Sequence, residues 1–272
     1  MSDPVRFVKA EANGNDFLIV DAAAVPPGER SRFARAACDR HRGVGADGVE
    51  FVRVAAGASG GFDLDLYNAD GGSAEVSGNG TRCVAAFYAQ RGFHAGTLRT
   101  GAGPVQASVV DGENQFWNIE LTMGVPAIEA LESEATLQVG GRAVPLTVLS
   151  MGNPQCVVRV SEFAPDWEAL GTAMASHPRF PHGTNVEFMR VADRHHVELR
   201  IVERGVGPTH SSGTGSCAAA AAAIANGWCD SPILVKTPGG SQRVAWPGGG
   251  AAIKLTGPAR VVAEGMFFFL RS

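Results

Sequence analysis

Two stretches of this chain, residues 80–91 and 215–226, are apolar around nearly the whole circumference of a helix. Each follows a short glycine-rich turn of one design: Ser77-Gly78-Asn79-Gly80 before the first and Ser212-Gly213-Thr214-Gly215 before the second. A helix without a polar face has to be wrapped by other structure. One such helix in each half implies a weak internal duplication. Short apolar runs bounded by turn residues, from 5–8, 17–20 and 48–54 through 186–191 and 197–202 to 251–256 and 261–269, alternate or are rich in β-branched residues, and read as strands. Residues 31–41 and 166–175 have amphipathic helical patterns. The expected fold class is α/β (α+β): two pseudo-symmetric domains, each a mixed, mostly antiparallel sheet wrapped around a central helix. The expected boundaries are 1–118, completed by a returning C-terminal strand at 264–272, and 119–263, with the linker near 117–126.

Composition narrows the function classes. The net charge is −4 and no Lys/Arg run stands out, which argues against a nucleic-acid partner. The first ten residues have no apolar signal core, and the most apolar stretch, 217–225, is too short and alanine-rich to span a bilayer. A cytoplasmic location with no membrane partner is expected. The chain has 5 cysteines, an odd and widely spaced set without a CxxC pair, so neither a disulfide framework nor a bound metal is expected. Adjacent His195 and His196 read as solvated surface residues.

What the paired turns can do follows from helix electrostatics. A helix N-terminus presents unpaired N–H groups and the positive end of a dipole, and therefore attracts anions. Two tips aimed at one carboxylate would stabilise the charge that spreads onto it when the neighbouring carbon loses a proton. Inverting that carbon needs one acid/base group on each of its faces, and matching serines at two helix mouths fit the requirement. The plain alternative for each turn is a serine N-cap with glycine in a loop; the repetition favours a site. No Gly-Lys-Ser/Thr follows either turn, which excludes a P-loop, and no GxGxxG joins a first strand to a helix, which excludes a dinucleotide fold.

Further motifs sit in order along nearly the whole chain: Gly14-Asn15-Asp16-Phe17, Arg40-His41-Arg42-Gly43-Val44-Gly45-Ala46-Asp47-Gly48, Asn68-Ala69-Asp70-Gly71, Gly78-Asn79-Gly80-Thr81-Arg82-Cys83, Met151-Gly152-Asn153-Pro154, Glu203-Arg204-Gly205-Val206-Gly207 and Pro238-Gly239-Gly240. Together they resemble the diaminopimelate epimerase family. The resemblance implies an isomerase that converts LL- to meso-diaminopimelate in lysine and peptidoglycan biosynthesis, without PLP or any other cofactor, acting on a small amino-acid substrate and forming a homodimer. The lysines Lys9, Lys236 and Lys254 lie in no glycine-rich anchoring context. By resemblance, Ser77 and Ser212 take the catalytic positions. Asn15, Asn68, Asn153, Asn185, Glu203 and Arg204 hold the substrate's polar groups, and Gly78, Asn79, Gly213 and Thr214 offer backbone N–H groups to the reacting carboxylate. Arg204 suits a carboxylate as a planar fork, and Glu203 would counter an ammonium and tune a catalytic pKa. Cys83 and Cys217 read as core residues.

The pattern departs from the family where protons move. Ser77 and Ser212 stand where the family has cysteines, Gln155 replaces a histidine, Pro208 replaces a glutamate, and Glu11-Ala12 replaces His-Gly. A thiol has a pKa near 8.5, whereas a hydroxyl is far less acidic and must borrow a base. Three readings remain open on the sequence. The serines are substitutions introduced into an active enzyme, which leaves Gln155 and Pro208 unexplained. The protein is an epimerase with altered bases, for which His210, near Ser212, is one candidate activator. Or it is a diverged or disabled homologue that binds an amino acid or performs one-sided α-proton chemistry, such as exchange or dehydration.

Overall fold

The computed structural model describes residues 4–54 and 61–270. It divides into two compact units, one reaching to Leu121 and resuming at Gly257, the other Thr122–Thr256. In the first unit, β1 (Val5–Ala12) and β2 (Asn15–Asp21) form a hairpin, followed by α1 (Arg30–Cys38). Next, β3 (Gly48–Val54) runs parallel to β2, and β4 (Phe62–Asn68) returns antiparallel to β3. The short β5 (Ser73–Ala74) leads to α2 (Gly78–Ala89), after which β6 (Ala95–Thr100) pairs parallel with β4 and a meander of β7 (Gly103–Glu113) and β8 (Phe116–Thr122) follows.

The second unit repeats this order. After β9 (Ala127–Ala130) and the separate hairpin β10 (Thr136–Val139)–β11 (Arg142–Pro145), the antiparallel pair β12 (Thr147–Ser150)–β13 (Pro154–Arg159) precedes α3 (Trp167–Ala175). Then β14 (Asn185–Asp193) runs parallel to β13, and β15 (His196–Glu203) antiparallel to β14. The short β16 (Gly207–Thr209) leads to α4 (Gly213–Ala225), and β17 (Ile233–Thr237) pairs parallel with β15 before β18 (Gly240–Ala245) turns back. Finally, β19 (Lys254–Phe267) starts beside β18 and continues antiparallel to β1.

The apolar helices are central, as their composition demands. On α2, Cys83, Val84, Ala85 and Ala86 are fully buried. On α4, Cys217 and the alanines to Ala223 form one core with Leu149, Val157, Met189, Leu199 and Val235. Alanines let the surrounding strands close tightly, and strand alternation sorts the two layers. Val49 and Phe51 of β3 pack with Phe33 of α1, leaving Glu50 on the face toward α2. Val186 and Phe188 of β14 pack with Met174 of α3, while Met189 joins the core of α4.

Some boundaries differ from expectation for local reasons. The first amphipathic helix stops at Cys38 because Asp39 turns the chain, its Oδ1 accepting the N–H groups of His41 and Arg42, each at 2.8 Å. Residues 251–256 and 261–269, read as separate strands, belong largely to the single β19. Pro258 is tolerated there because it falls between the residues pairing with β18 and those pairing with β1. The β10–β11 hairpin is absent from the sequence reading, although Gly140-Gly141, both at positive φ, is the turn it requires.

Arg82 ties α2 to the β1–β2 turn. It is completely buried, and its guanidinium donates to Asn13 Oδ1 at 3.0 Å and to Asn79 Oδ1 at 2.7 Å. Asn13 adopts φ 54°, the left-handed turn that joins β1 to β2. Arg82→Ala leaves a cavity and removes both of these buried hydrogen bonds, so it is expected to lower the unfolding free energy by about 3–5 kcal/mol in a denaturant titration.

Candidate active site

In the first unit the site forms at the tip of α2. Ser77 is the N-cap in extended conformation, half-buried, with its Oγ accepting the Gly80 N–H at 3.1 Å. The plain N-cap geometry is therefore present, and it leaves the serine's own proton free to be donated. The N–H groups of Gly78 and Asn79 have no acceptor among the described residues, so the tip can receive an anion. Asn79 is buried and its Nδ2 donates to Asn15 Oδ1 at 3.2 Å, while Asn15 Nδ2 donates to Asp47 Oδ2 at 2.6 Å. Arg40 bridges Asp16 and Asp47, at 2.8 Å to an oxygen of each. Burial pushes the Asp16 carboxyl up, but hydrogen bonds from Arg40 and Lys9 outweigh it and hold the group below its ordinary range. This chain orders the β1–β2 turn that carries Asn15. Asn68, exposed at the end of β4, pairs with Gly48 in the ladder.

The second unit builds the same tip on α4. Ser212 is the N-cap, buried, its Oγ accepting the Gly215 N–H at 3.2 Å, with Thr214 Oγ1 at 3.5 Å. Gly213 and Thr214 present their N–H groups without acceptors among the described residues. The Glu203 carboxyl neighbours the Ser212 hydroxyl: burial raises its pKa, and hydrogen bonding from Ser212 draws it partly back. Asn185 Oδ1 accepts the Arg204 N–H at 2.8 Å, which fixes the backbone at the end of β15. The exposed Arg204 guanidinium donates one bond to the His182 carbonyl at 3.1 Å and keeps its remaining edge outward. Asn153 Oδ1 accepts from Gln155 Nε2 at 2.7 Å. Beside Pro154 and Gly183 lies a cavity of about 460 Å³, lined also by Ser150, Arg179, Phe180 and His182.

Within each unit the sequence-derived residues come together around the helix tip: Asn15, Gly78 and Asn79 with Ser77, and Glu203, Gly213 and Thr214 with Ser212. Cys83 and Cys217 are buried in the helices, and burial pushes the Cys83 thiol well above its ordinary range. His210 is exposed, and the carboxyl that neighbours the Ser212 hydroxyl is that of Glu203. Pro208 sits in β16 opposite Val202, where it shapes an edge strand and carries no acid function.

The sequence reading missed two carboxyls. Glu50 and Glu187 are buried at 1% and 0% exposure, and each lies against the second glycine of its unit's serine turn. A Cβ at Gly80 would collide with Glu50 Oε1, and one at Gly215 would lie 2.9 Å from Glu187 Oε1. Burial, with Asp65 adding to it, raises Glu50 to about 8; burial, then Glu203, raises Glu187. The available signal was a repeated Val-Glu-Phe, at 49–51 and 186–188, each preceding one of the serine turns.

Two units of this design, each wrapped around a buried helix, are a fold shared with solved epimerase structures. A hydroxyproline epimerase from Agrobacterium vitis superposes with a TM-score of 0.74 at 17% identity, covering 97% of this chain and 90% of that one. A phenazine biosynthesis protein from Bacillus anthracis does so with 0.74 at 18% identity, over 98% and 100%. Within that fold class the chain belongs to the diaminopimelate epimerase family, whose model matches residues 7–128 and 147–262. Diaminopimelate epimerases from Azotobacter vinelandii and from Pseudomonas fluorescens strain Pf0-1 are each 39% identical to it over 276 residues, covering 96% of this chain and 98% of each relative. The protein is thus an epimerase, and none of its described helices is long and apolar enough to cross a membrane.

Proposed function

We propose that this protein converts LL- to meso-diaminopimelate with Ser77 and Ser212 as its acid/base pair, without PLP, as a cytoplasmic homodimer. The observation that carries this reading is the repeated helix tip: a serine Oγ held by the Gly80 or Gly215 N–H beside two open amides. The open N–H groups of Gly78, Asn79, Gly213 and Thr214 bind the carboxylate next to the reacting carbon and stabilise charge that develops on it. Glu203 accepts the Ser212 proton, which makes a weakly acidic hydroxyl serviceable as a base. Arg204, Asn185 and Asn153 hold the substrate's other polar groups beside the cavity in the second unit, while Asn15 and Asn68 contribute from the first. Two of the lysines are already engaged: Lys9 with Gly45 O at 2.7 Å and Asp16 at 2.9 Å, Lys236 with Glu198 at 3.7 Å.

The test is incubation with LL-diaminopimelate in deuterated water. The expected result is meso product carrying deuterium at the inverted carbon. Deuterium uptake without inversion, or binding without uptake, would overturn the assignment of both serines to a two-sided reaction.

A further inference from the structure

We propose that Glu50 is the proton-holding partner of Ser77, a positioning residue that takes the serine's hydroxyl proton when Ser77 abstracts from substrate and returns it when Ser77 delivers. The proposal rests on the epimerase reading above. Its geometry starts from Gly80. The N–H of that glycine is the donor that Ser77 Oγ accepts, and its Cα faces Glu50 so closely that no side chain fits between. Glu50 therefore packs against the glycine whose N–H the serine's Oγ accepts. Its Oε2 is buried with no hydrogen-bond partner among the described residues. An unsatisfied carboxyl in a core is destabilising, and an apolar side chain of similar size would fill the place without that penalty. Such a group is explained by work that only a carboxyl can do.

The second unit supplies independent support. Glu187 occupies the same place on its ladder, between Val157 and Ile201, as Glu50 does between Ile19 and Leu66. Both Glu187 oxygens are likewise buried without partners, and a Cβ at Gly215 would touch Glu187 Oε1 and, at 3.3 Å, Ser212 Oγ. The units then differ in one respect. Val186 pairs with Val202, so Glu203 falls opposite Asn185; the matching position opposite Gly48 is Asn68. Ser212 thus has Glu203 as well as Glu187, while the first unit has an amide where Glu203 stands. An amide cannot hold the proton, which leaves the strand carboxyl Glu50 to serve Ser77. The charge on β4 that acts on Glu50 is that of Asp65, which lies opposite Phe51 on the other face of the sheet and is paired with Arg30; from α2, Arg82 is engaged with Asn13 and Asn79. Burial pushes the Glu50 pKa up to about 8, which lets it exchange a proton near neutral pH.

The proton balance closes within the pair. On abstraction, the α-proton forms a new O–H bond on Ser77 as the original hydroxyl proton passes to ionised Glu50, directly or through one water. The C–H electron pair stays on the carbon and its carboxylate. In the reverse direction Glu50 returns its proton to the Ser77 oxygen as Ser77 gives its own to the carbon. Nothing is oxidised or reduced.

The test uses Glu50→Gln and Glu50→Asp in the full chain, each alone and combined with Ser77→Cys, with kcat and KM measured on diaminopimelate in both directions. Glu50→Gln is expected to lower kcat about a hundred-fold while KM moves less than about three-fold, with Glu50→Asp recovering part of the loss. Combined with Ser77→Cys, the loss is expected to shrink below about ten-fold, because a thiol brings its own acidity. An unchanged kcat in Glu50→Gln, or an equal loss in both backgrounds, overturns the proposal and leaves Glu50 a packing residue. If Glu50→Gln does not fold, Glu50→Asp in the two backgrounds makes the same comparison. A wild-type chain that exchanges no α-proton overturns the epimerase reading itself, and the role of Glu50 falls with it.

Discussion

Ser212→Ala is expected to lower kcat for epimerisation by about 10²–10⁴-fold, with Ser77→Ala close behind. The stability effect is expected to be small by comparison. Each serine caps its helix through a single bond, to Gly80 N–H at 3.1 Å or Gly215 N–H at 3.2 Å. Losing an N-cap costs about 1 kcal/mol, which in a protein of this size moves Tm by about 2–4 °C. The two magnitudes separate the roles cleanly. A serine that only caps would lower Tm and leave kcat nearly intact. A serine that moves a proton lowers kcat by orders of magnitude in a protein that still melts cooperatively. Deuterium uptake refines the outcome further: with one serine gone, the remaining one still abstracts from its own face. Each single variant is then expected to exchange one epimer of the substrate much faster than the other, and equal residual exchange from both would count against a division of labour.

Much of this architecture was legible because it follows from composition alone. The run Cys217–Ala223 has no polar face, and a helix of that kind can only be central; α4 is. The serine turns were legible too, since small residues and glycine before a buried helix have few structural uses. Glu50 and Glu187 escaped notice because a glutamate inside an apolar strand run reads as the solvent face of an alternating strand. Only the two-sided coverage of β3 and β14, with α1 or α3 on one face and α2 or α4 on the other, turns those positions inward. Glu203 was expected, by resemblance, to counter an ammonium and to tune a catalytic pKa. Its place beside the Ser212 hydroxyl depends on β15 ending level with the tip of α4, a tertiary relation that no local pattern encodes. Nearness in sequence to Ser212 likewise does not bring the His210 side chain out of solvent.

The two units also show how one design is adjusted after duplication. Phe17 pairs with Gly48 where Gln155 pairs with Asn185, and Asn15 precedes the first as Asn153 precedes the second. The strand glutamate, the serine and the following glycines are kept in both. What differs is the partner at the strand end, Asn68 against Glu203, and with it the number of carboxyls near each serine. A chain that relies on hydroxyls needs carboxyls close by in both units, and this is where the buried glutamates gain their significance.

Restoring thiols at both positions, Ser77→Cys with Ser212→Cys, is expected to raise kcat roughly a hundred-fold or more. A thiol ionises near 8.5, several units below an aliphatic hydroxyl, and each unit represents about 1.36 kcal/mol between protonation states. Even if only part of that difference is expressed in the transition state, about two decades of rate follow. The open amides and the dipole of α2 and α4 favour the thiolate further. Stability is expected to move the opposite way: serine is among the preferred N-caps and cysteine is not, so each replacement weakens its helix by up to about 1 kcal/mol. The pH dependence changes as well. With serines, the rate climbs as the carboxyls that accept their protons ionise, and those of Glu203 and Glu50 are both displaced upward. With cysteines, the climb follows the thiols themselves and loses its dependence on Glu203→Gln and Glu50→Gln. Faster turnover in a less stable protein, with a rate no longer sensitive to those two carboxyls, is the combination that only a proton-moving role for positions 77 and 212 produces. A double variant that folds and turns over no faster than the parent would show that the helix tips are structural caps.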